Sequence, residues 1–405
     1  MLHVPVIILF LYTNMSDKRP KIAYVTSVDA RDKRSWSGIH YSIWKALQKH
    51  VGDVELIGPV KPQPALWIGK IATGLSQKLF HKRYNYRHSR MLSKAYANYV
   101  EKELHRHKYD LIVVPATSTF ISFLKTNIPI AYIGDSTVQN TMDYYPALTN
   151  LYAFSRKETL AIEQEALDKS AFLTYPSKWA SGSAMHDFKI SPSKIFTIPF
   201  GANIENIPDR ERVLIKKQTK VCNMLFLGVD WKRKGGSIAF DTMVELNKMG
   251  IDTQLTVCGC IPPEKFQHPK LKVIPFLDKN NDAQKEEFTN LLLASHFLIL
   301  PTRMECFGIV FCEASAFGIP SIATNTGGVS SAVIEGKNGY LLPVSATGKD
   351  YAAVISGIFN DEEKYNFLAR ESRNLFETAL NWDKWAEGFK GAYLKIRSET
   401  KQGSV

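Results

Sequence analysis

The feature that most constrains the fold is a regular alternation of short apolar runs with longer amphipathic segments. Apolar runs alternating with helical segments of about 10–15 residues predict parallel strands covered by helices. The first set of predicted strands is Lys21–Thr26, Asp53–Gly58, Asp110–Pro115, Ile128–Ile133, Ala171–Tyr175 and Lys194–Pro199. The second set is Cys222–Leu227, Gln254–Cys258, Lys272–Phe276, His296–Leu300 and Ser321–Thr324. We therefore expect an α/β chain with two doubly wound, Rossmann-like domains, which bind ligands in a central cleft at the carboxyl ends of the strands.

Composition shifts suggest the domain boundaries. Residues 1–14 contain an apolar run that is too short to span a membrane and that lacks a basic start. We expect them to be a dispensable extension that is not part of the native start, with an interfacial anchor as the alternative. Residues 15–203 would form the first domain and the polar stretch 204–220 a linker. Residues 221–380 would form the second domain, and 381–405 a terminal helix.

Charge and cysteine content narrow the function classes. The 405 residues include 51 Lys and Arg against 39 Asp and Glu, a net charge of +12 that favours an anionic partner. The cysteines number five and form no CxxC pair, which argues against a zinc site and fits a reduced cytoplasm. A GxGxxG after a strand, a P-loop and a GxSxG elbow are all missing, which disfavours a dinucleotide dehydrogenase, a P-loop NTPase and an α/β-hydrolase.

The segment 300–320 carries the most chemical information. A buried strand ends there, a short loop bears Glu305, and Gly308 permits a tight entry into a helix that closes with Gly-Ile-Pro. Unpaired N–H groups at such a helix start can bind a phosphate or a sugar oxygen. Glu305 and Glu313 are eight residues apart. That is at most about 12 Å along a helix, which suits the two ends of a nucleotide-sugar better than two acids acting on one bond.

A second strand–loop–helix unit spans residues 226–236. A strand ends in glycine, and the basic loop residues Lys232, Arg233 and Lys234 precede Gly235-Gly236 and a helix. Basic side chains beside a helix N-terminus suit a diphosphate. The alternative is a solvated charge cluster on a surface turn. The glutamate-bearing loop elsewhere in the same domain favours the diphosphate site, with the phosphate-binding residue somewhere in the 229–234 loop.

Two places in the first domain are candidates for the opposite wall of the cleft. Ser35-Trp-Ser-Gly-Ile-His-Tyr41 follows the first strand, and Gly38 would let the backbone approach a phosphate. Its alternative is an ordinary strand-to-helix loop. Asp135 ends a strand and would contact the reacting sugar or the acceptor, or else cap a helix; we favour the catalytic interpretation.

An apolar stripe lies between the second and third predicted strands. Trp67, Ile71, Leu75 and Leu79 recur every four residues, and a basic, aromatic segment follows at 81–90. One interpretation is an amphipathic basic surface that binds a membrane or an acidic acceptor. The interpretation we favour is a helix that packs on its own sheet.

Together these residues resemble the signature of family 4 retaining glycosyltransferases of the GT-B fold. The main match consists of Pro301-Thr, Glu305, Phe307-Gly308, Glu313 and Gly318-x-Pro320. Supporting similarities are Ile198-Pro-Phe-Gly-Ala-Asn203, Lys234-Gly235, Gly327-Gly328, Gly336-x-x-Gly339 and Trp382-Asp-Lys-Trp385. The resemblance covers nearly the whole chain. It departs at Val229, where the family often has arginine, and at Asp135, where it often has histidine.

The resemblance implies retaining, metal-independent transfer of a sugar from a UDP- or GDP-sugar to a glycan, glycolipid or other cell-surface precursor, without a cofactor. It implies that Glu313 holds the ribose, that Glu305 and the 307–309 amides hold the sugar, and that Lys234 neutralises the leaving diphosphate. It also implies a last helix that crosses back to the first domain. The catalytic candidates are Glu305, Lys234 and Asp135, and the donor-binding candidates are Gly38, Lys232, Arg233, Phe307, Gly308, Ile309 and Glu313.

Two other functions stay open at this point. A nucleotide-sugar epimerase has the same fold, and a non-enzymatic protein would use the positive charge to bind a polyanion or a membrane. The expected partners are a nucleotide-sugar donor and a glycan or lipid-linked acceptor, and nucleic acid is not expected. A cytoplasmic location is expected, with peripheral contact at the inner membrane face through residues 67–90 as an alternative.

Overall fold

The computed structural model describes residues 19–215 and 220–402. The predicted extension, residues 1–14, lies outside the described residues. The chain forms two six-stranded sheets in which neighbouring strands run parallel. The predicted α/β class with two doubly wound domains is confirmed.

The first sheet has the strand order β2-β1-β3-β4-β5-β6. Its strands are β1 (Lys21–Val25), β2 (Asp53–Ile57), β3 (Leu111–Pro115), β4 (Ile130–Ile133), β5 (Phe172–Tyr175) and β6 (Ile195–Thr197). Its helices are α1 (Ile39–His50), α2 (Gln63–Phe80), α3 (Arg90–Leu104), α4 (Val138–Thr141), α5 (Ala153–Lys169) and α6 (Lys178–His186). Every residue of β3 is buried, which is typical of a central parallel strand covered on both faces.

The second sheet has the order β12-β11-β10-β7-β8-β9. Its strands are β7 (Cys222–Leu227), β8 (Thr253–Cys258), β9 (Leu271–Ile274), β10 (Phe297–Leu300), β11 (Ser321–Thr324) and β12 (Gly339–Leu342). Between and after them lie α8 (Gly236–Lys248), α9 (Asp282–Ala294), α10 (Ile309–Ala316), α11 (Gly348–Phe359) and α12 (Glu362–Thr378). Strand β12 was not predicted, because four residues after a glycine turn are too few to show a period.

The described part of the predicted linker is not featureless. It contains the short helix α7 (Arg210–Leu214), whose Val213 is buried. Arg210 donates to Glu377 at 2.6 Å and to Asn374 at 2.7 Å, so this segment is attached to α12. The interdomain connection is therefore anchored to the second domain by side-chain contacts.

The last helix, α13 (Trp382–Gln402), packs against the first domain. Trp385 is fully buried, and the Phe389 ring lies 5.2 Å from the Phe172 ring of β5. Lys49 of α1 also donates to Asp383 at 2.9 Å. The predicted crossing of this helix to the first domain is confirmed.

The strand orders locate the cleft. In the second sheet β7 lies between β8 and β10, so the loops that follow β7 and β10 leave the sheet at its switch point. In the first sheet β1 lies between β2 and β3, and the segment after β1 approaches the second domain. Asn280 accepts from the Lys33 backbone N–H at 3.2 Å across this gap. The two switch points therefore face each other.

The apolar stripe of α2 faces solvent, contrary to the packing interpretation we favoured. Trp67 is 62% exposed and Leu79 is 65% exposed. The helix packs through its opposite face, where Ala65 and Gly69 are buried. Periodicity revealed that α2 is two-sided, but it did not show which side packs on the sheet.

Candidate active site

The centre of the cleft is an ion pair between two neighbouring loops. Lys234 follows β7 and Glu305 follows β10; because these strands are paired, their loops leave the sheet side by side. The Lys234 ammonium donates to Glu305 Oε2, and each residue is only 9% exposed. A Cβ atom at Gly228 would lie 2.9 Å from Lys234 Cγ. Glycine at position 228 therefore makes room for the lysine side chain.

The loop that bears Glu305 rests on the Gly327-Gly328 turn. The Gly328 backbone N–H donates to the Glu305 carbonyl at 3.2 Å. A Cβ atom would lie 2.0 Å from the Glu305 carbonyl oxygen if placed at Gly327, and 1.9 Å from the Cys306 carbonyl oxygen if placed at Gly328. The two glycines thus allow the close backbone contact that positions the glutamate loop.

Helix α10 begins at the cavity without a side-chain cap. Its N-cap is Gly308, at φ +89°, and Gly308 has no side chain to cap the first turn. By contrast, α3, α4 and α6 have N-caps Ser89, Thr137 and Ser177, whose side chains accept from their first turns. Phe307, Gly308 and Ile309 line the cavity. The start of α10 can therefore donate to an oxygen or phosphate ligand.

Glu313 lies further along α10 and is almost fully buried, at 1% exposure. Burial raises the pKa of its carboxyl group, and the neighbouring Lys279 ammonium opposes that rise. Lys279 Nζ lies 2.5 Å from Glu313 Oε1 and also donates to the carbonyl of Asn203, at the end of the first domain, at 3.3 Å. The sequence analysis missed Lys279, because it lies in a loop outside any recognised motif.

Asp135 forms part of the first-domain wall. Trp36 Nε1 donates to Asp135 Oδ2 at 3.1 Å. The following helix, α4, is capped by Thr137 rather than by Asp135, so the helix-cap alternative is wrong. Burial raises the pKa of Asp135, and the negative charge of Glu305 adds to that rise. Asp135 is thus a buried cleft carboxyl group that the Trp36 indole orients.

The Trp36 side chain reaches Asp135 from an unusual turn. Trp36, Ser37 and Gly38 have φ values of 49°, 57° and 89°. Left-handed geometry is costly for Trp36 and Ser37. The turn directs the Trp36 ring into the cleft, 5.8 Å from the Phe200 ring. Gly38 itself faces a neighbouring cavity of 640 Å³, whereas Ser37 and Ile39 line the central one.

Two tyrosines that the sequence analysis missed connect the domains. Tyr144 Oη accepts from the Glu305 backbone N–H at 2.8 Å and contacts Thr326 Oγ1 at 2.9 Å. Tyr145 Oη lies 3.4 Å from Cys306 Sγ. A pair of tyrosines between two short helices has no local pattern that would reveal this role.

The central cavity encloses 530 Å³ between the two domains. Its charged lining residues are Lys33, Arg34, Arg233, Lys234 and Lys279, with Asp135, Glu305 and Glu313. The excess of cations suits an anionic ligand that also presents hydroxyl groups. Lys232, predicted as a phosphate ligand, is exposed outside this cavity. Of the three basic residues in this loop, Arg233 and Lys234 line the cavity.

Within residues 19–215 and 220–402, no group of three or more His, Cys, Asp and Glu side chains is arranged to hold a metal ion. None of the helices in these ranges combines the length and apolar content that a membrane span needs. The cysteines at 222, 258, 260, 306 and 312 are free thiols.

The chain is similar in sequence to a known protein family and to known proteins. Residues 209–375 match the family described as glycosyl transferases group 1. The chain is 24% identical to spore coat protein SA of Bacillus subtilis over 325 residues, which are 75% of this chain and 82% of that protein.

Two solved structures show the same fold at low sequence identity. Sucrose-phosphate synthase from Thermosynechococcus elongatus has a TM-score of 0.65 and 17% identity, over 94% of this chain and all of that one (100%). Anabaena HepE in complex with UDP and glucose has a TM-score of 0.60 and 16% identity, over 93% and 99% of the two chains. The fold of this chain is therefore the GT-B fold.

The matched range contains Lys234, Glu305 and Glu313. This part of the chain is similar to the group 1 glycosyl transferases, and the chain has the GT-B fold. The family resemblance and the enzyme class expected from the sequence are confirmed.

Proposed function

We propose that this enzyme transfers a sugar from a UDP- or GDP-sugar, with retention at the anomeric carbon and without a metal ion, to a glycan or lipid-linked acceptor. The observation that carries the proposal is the buried Lys234–Glu305 pair beside the open start of α10. A cavity with five cationic side chains surrounds the pair. The UDP and glucose bound by HepE, which has the same fold, are ligands of this class.

Each wall of the cavity then has a role toward the donor. The diphosphate would lie against Lys234 and Arg233, whose Nη1 already donates to the Met304 carbonyl at 3.0 Å. The sugar hydroxyls would bind Glu305 and the first N–H groups of α10. Glu313 would accept the ribose hydroxyls beside the Lys279 ammonium.

The chemistry that this chain supplies is electrostatic. As the bond between the anomeric carbon and the diphosphate oxygen breaks, negative charge grows on the leaving group. The fixed ammonium of Lys234, which is almost fully buried, stabilises that charge without reorganisation. Lys234 and Arg233 hold positive charge where another enzyme would use a divalent cation, which is the basis for proposing metal independence.

Retention requires the acceptor to approach the sugar on the face that the diphosphate leaves. We assign that approach to the first-domain wall, where Trp36 orients Asp135. Asp135 would accept a hydrogen bond from the attacking hydroxyl group. The Asp135→Ala variant, which has no acceptor oxygen at this place, should therefore lose transfer to an acceptor while it keeps donor binding.

The test is nucleotide release from a panel of UDP-, GDP-, ADP- and CMP-sugars, with a chelator present. Wild-type protein should release nucleotide from one UDP- or GDP-sugar, and Glu305→Gln should abolish that release. Glu264→Gln, which changes an exposed carboxylate of the same domain, is the matched control and should keep it.

Two outcomes would contradict the proposal. Restoration of lost activity by Mg²⁺ or Mn²⁺ would rule out metal independence. Conversion of the donor into an isomeric nucleotide-sugar without nucleotide release would indicate an epimerase. The stereochemistry of the product, read from the anomeric coupling constant, tests retention directly.

A further inference from the structure

Helix α2 does not pack on the protein through its large apolar side chains; it packs through the opposite face. The fully buried residues of its inner face are small: Ala65 and Gly69 are buried, and a Cβ atom at Gly69 would lie 2.4 Å from the Tyr86 ring. Leu66 is half-buried against the same core. Thr73 Oγ1 and Ser76 Oγ donate to the carbonyls that follow the helix, at 2.8 Å and 2.7 Å. Hydrogen bonds and a close glycine contact therefore attach α2 to the first domain.

The outer face of α2 displays its large apolar side chains to solvent. The exposed members are Trp67 (62%), Ile68 (55%), Ile71 (58%), Leu75 (54%), Leu79 (65%) and Phe80 (66%). Phe154, at 60% exposure, is 5.8 Å from the Tyr84 ring, just beyond the end of the helix. A continuous exposed apolar face of this kind is typical of an interaction surface.

The charged residues of the segment that carries this face have one sign. Residues 56–100 contain no Asp or Glu. The same stretch contains Lys61, Lys70, Lys78, Lys82, Arg83, Arg87, Arg90 and Lys94. Nearby carboxylates from other segments are already engaged: Glu158 accepts from Tyr84 Oη at 3.1 Å, and Asp143 accepts from Arg156 at 2.6 Å.

We propose that the outer face of α2, together with Phe154, docks on an anionic lipid bilayer. Trp, Leu and Ile on one side of a helix with lysines beside them match the pattern of an interfacial helix. Anionic headgroups attract this cationic margin. A second copy of the chain would bring the same positive charges together, which disfavours self-association as the use of this face.

The docking face is connected to the cleft through one segment. The Arg83 guanidinium donates to the Pro146 carbonyl at 2.6 Å, and the Arg83 backbone N–H donates to the Asn150 carbonyl at 3.0 Å. The same segment begins with Tyr144 and Tyr145, which contact the Glu305 loop. Docking would therefore hold the acceptor side of the cleft near the bilayer, a consequence that rests on the proposed function and favours a lipid-linked acceptor.

The test is co-sedimentation with vesicles of phosphatidylcholine alone and of phosphatidylcholine mixed with phosphatidylglycerol. Wild-type protein should bind the mixed vesicles, less so as salt increases. The Ile71→Ser/Leu75→Ser variant should lose about a hundredfold or more in affinity, because burying each such side chain contributes about one to two factors of ten. The matched control is Met249→Ser/Ile261→Ser, which changes apolar residues of the second domain that are 53% and 71% exposed.

A charge-reversal variant tests the second half of the proposal. Lys70→Glu/Lys78→Glu should lower binding to the mixed vesicles and leave circular dichroism unchanged. Wild-type protein that binds neither vesicle, or both equally at all salt concentrations, overturns the proposal. So does a wild-type dimer that Ile71→Ser/Leu75→Ser dissociates. Nucleotide release by these variants is a separate readout, so a failure of docking is distinguishable from a failure of the proposed transfer.

Discussion

Removing one charge of the Lys234–Glu305 pair should destabilise the enzyme far more than removing one charge of a surface pair. Each side chain of the buried pair is 11% exposed, so water cannot replace the missing partner. In the surface pair Lys270–Asp252, the two side chains are 40% and 54% exposed at a separation of 2.7 Å. The two pairs lie in the same domain and differ mainly in burial.

The exposure of the side chains sets the size of the effect. Loss of one member of a buried pair costs about 3–5 kcal/mol. Because the cleft is open on one side, we expect about 3 kcal/mol for Lys234→Met or Glu305→Gln. The surface variant Lys270→Met should cost about 1 kcal/mol or less. The double variant Lys234→Met/Glu305→Gln leaves no unpaired charge and should regain most of the lost stability.

The assay is urea unfolding of the full chain for the wild type and the four variants, with nucleotide release measured in parallel. The double variant should be stable yet inactive, with turnover reduced by about 10² or more, because the charge that stabilises the leaving group is gone. A loss of stability in the double variant equal to the sum of the two single losses would refute the buried ion pair. So would a loss in Lys270→Met as large as that in Lys234→Met.

Two further predictions follow from other parts of the site. Gly328→Ala should lower turnover sharply, because its Cβ atom would lie 1.9 Å from the Cys306 carbonyl oxygen, whereas Gly357→Ala, with no contact within 4 Å, should leave turnover unchanged; equal effects would disprove the positioning role. Burial raises the pKa of Glu163 to about 8. At a pH above the ordinary pKa of glutamate, the unfolded state releases this proton and the folded state keeps it. The free energy of unfolding of the wild type should therefore fall as the pH rises toward about 8. Glu163→Gln, which can still accept from the Val138 N–H, should remove this loss in urea unfolding; a difference from wild type that is constant with pH would contradict it.

Much of the fold can be predicted from local patterns of apolar residues in the sequence. A central strand such as β3, with the sequence Leu-Ile-Val-Val-Pro, is apolar on both faces because helices cover both sides of a parallel sheet. The strands before Lys234 and Glu305 were predicted for the same reason, and the loops that follow them carry the signature residues. Because parallel strands expose their carboxyl ends at one edge, predicting the strands also predicted which loops share the cleft.

Other parts of the site depend on contacts that no local pattern contains. Tyr144 meets the Glu305 loop, and Lys279 meets Glu313, only because the domains face each other. Lys232 and Lys234 are both lysines of the loop after β7, so the sequence does not distinguish them. The geometry of the turn places only Lys234 in the cavity.

The same division applies to α2. Its four-residue spacing already showed an apolar face, since helical periodicity depends on neighbours along the chain. Which face meets the protein was decided by the tertiary fit of Gly69 against the Tyr86 ring. The hydrophobic periodicity of a helix depends on that segment alone, so it can be recognised without the tertiary structure. The side on which a segment packs, and the partners it meets across the cleft, depend on surfaces supplied by residues distant in sequence.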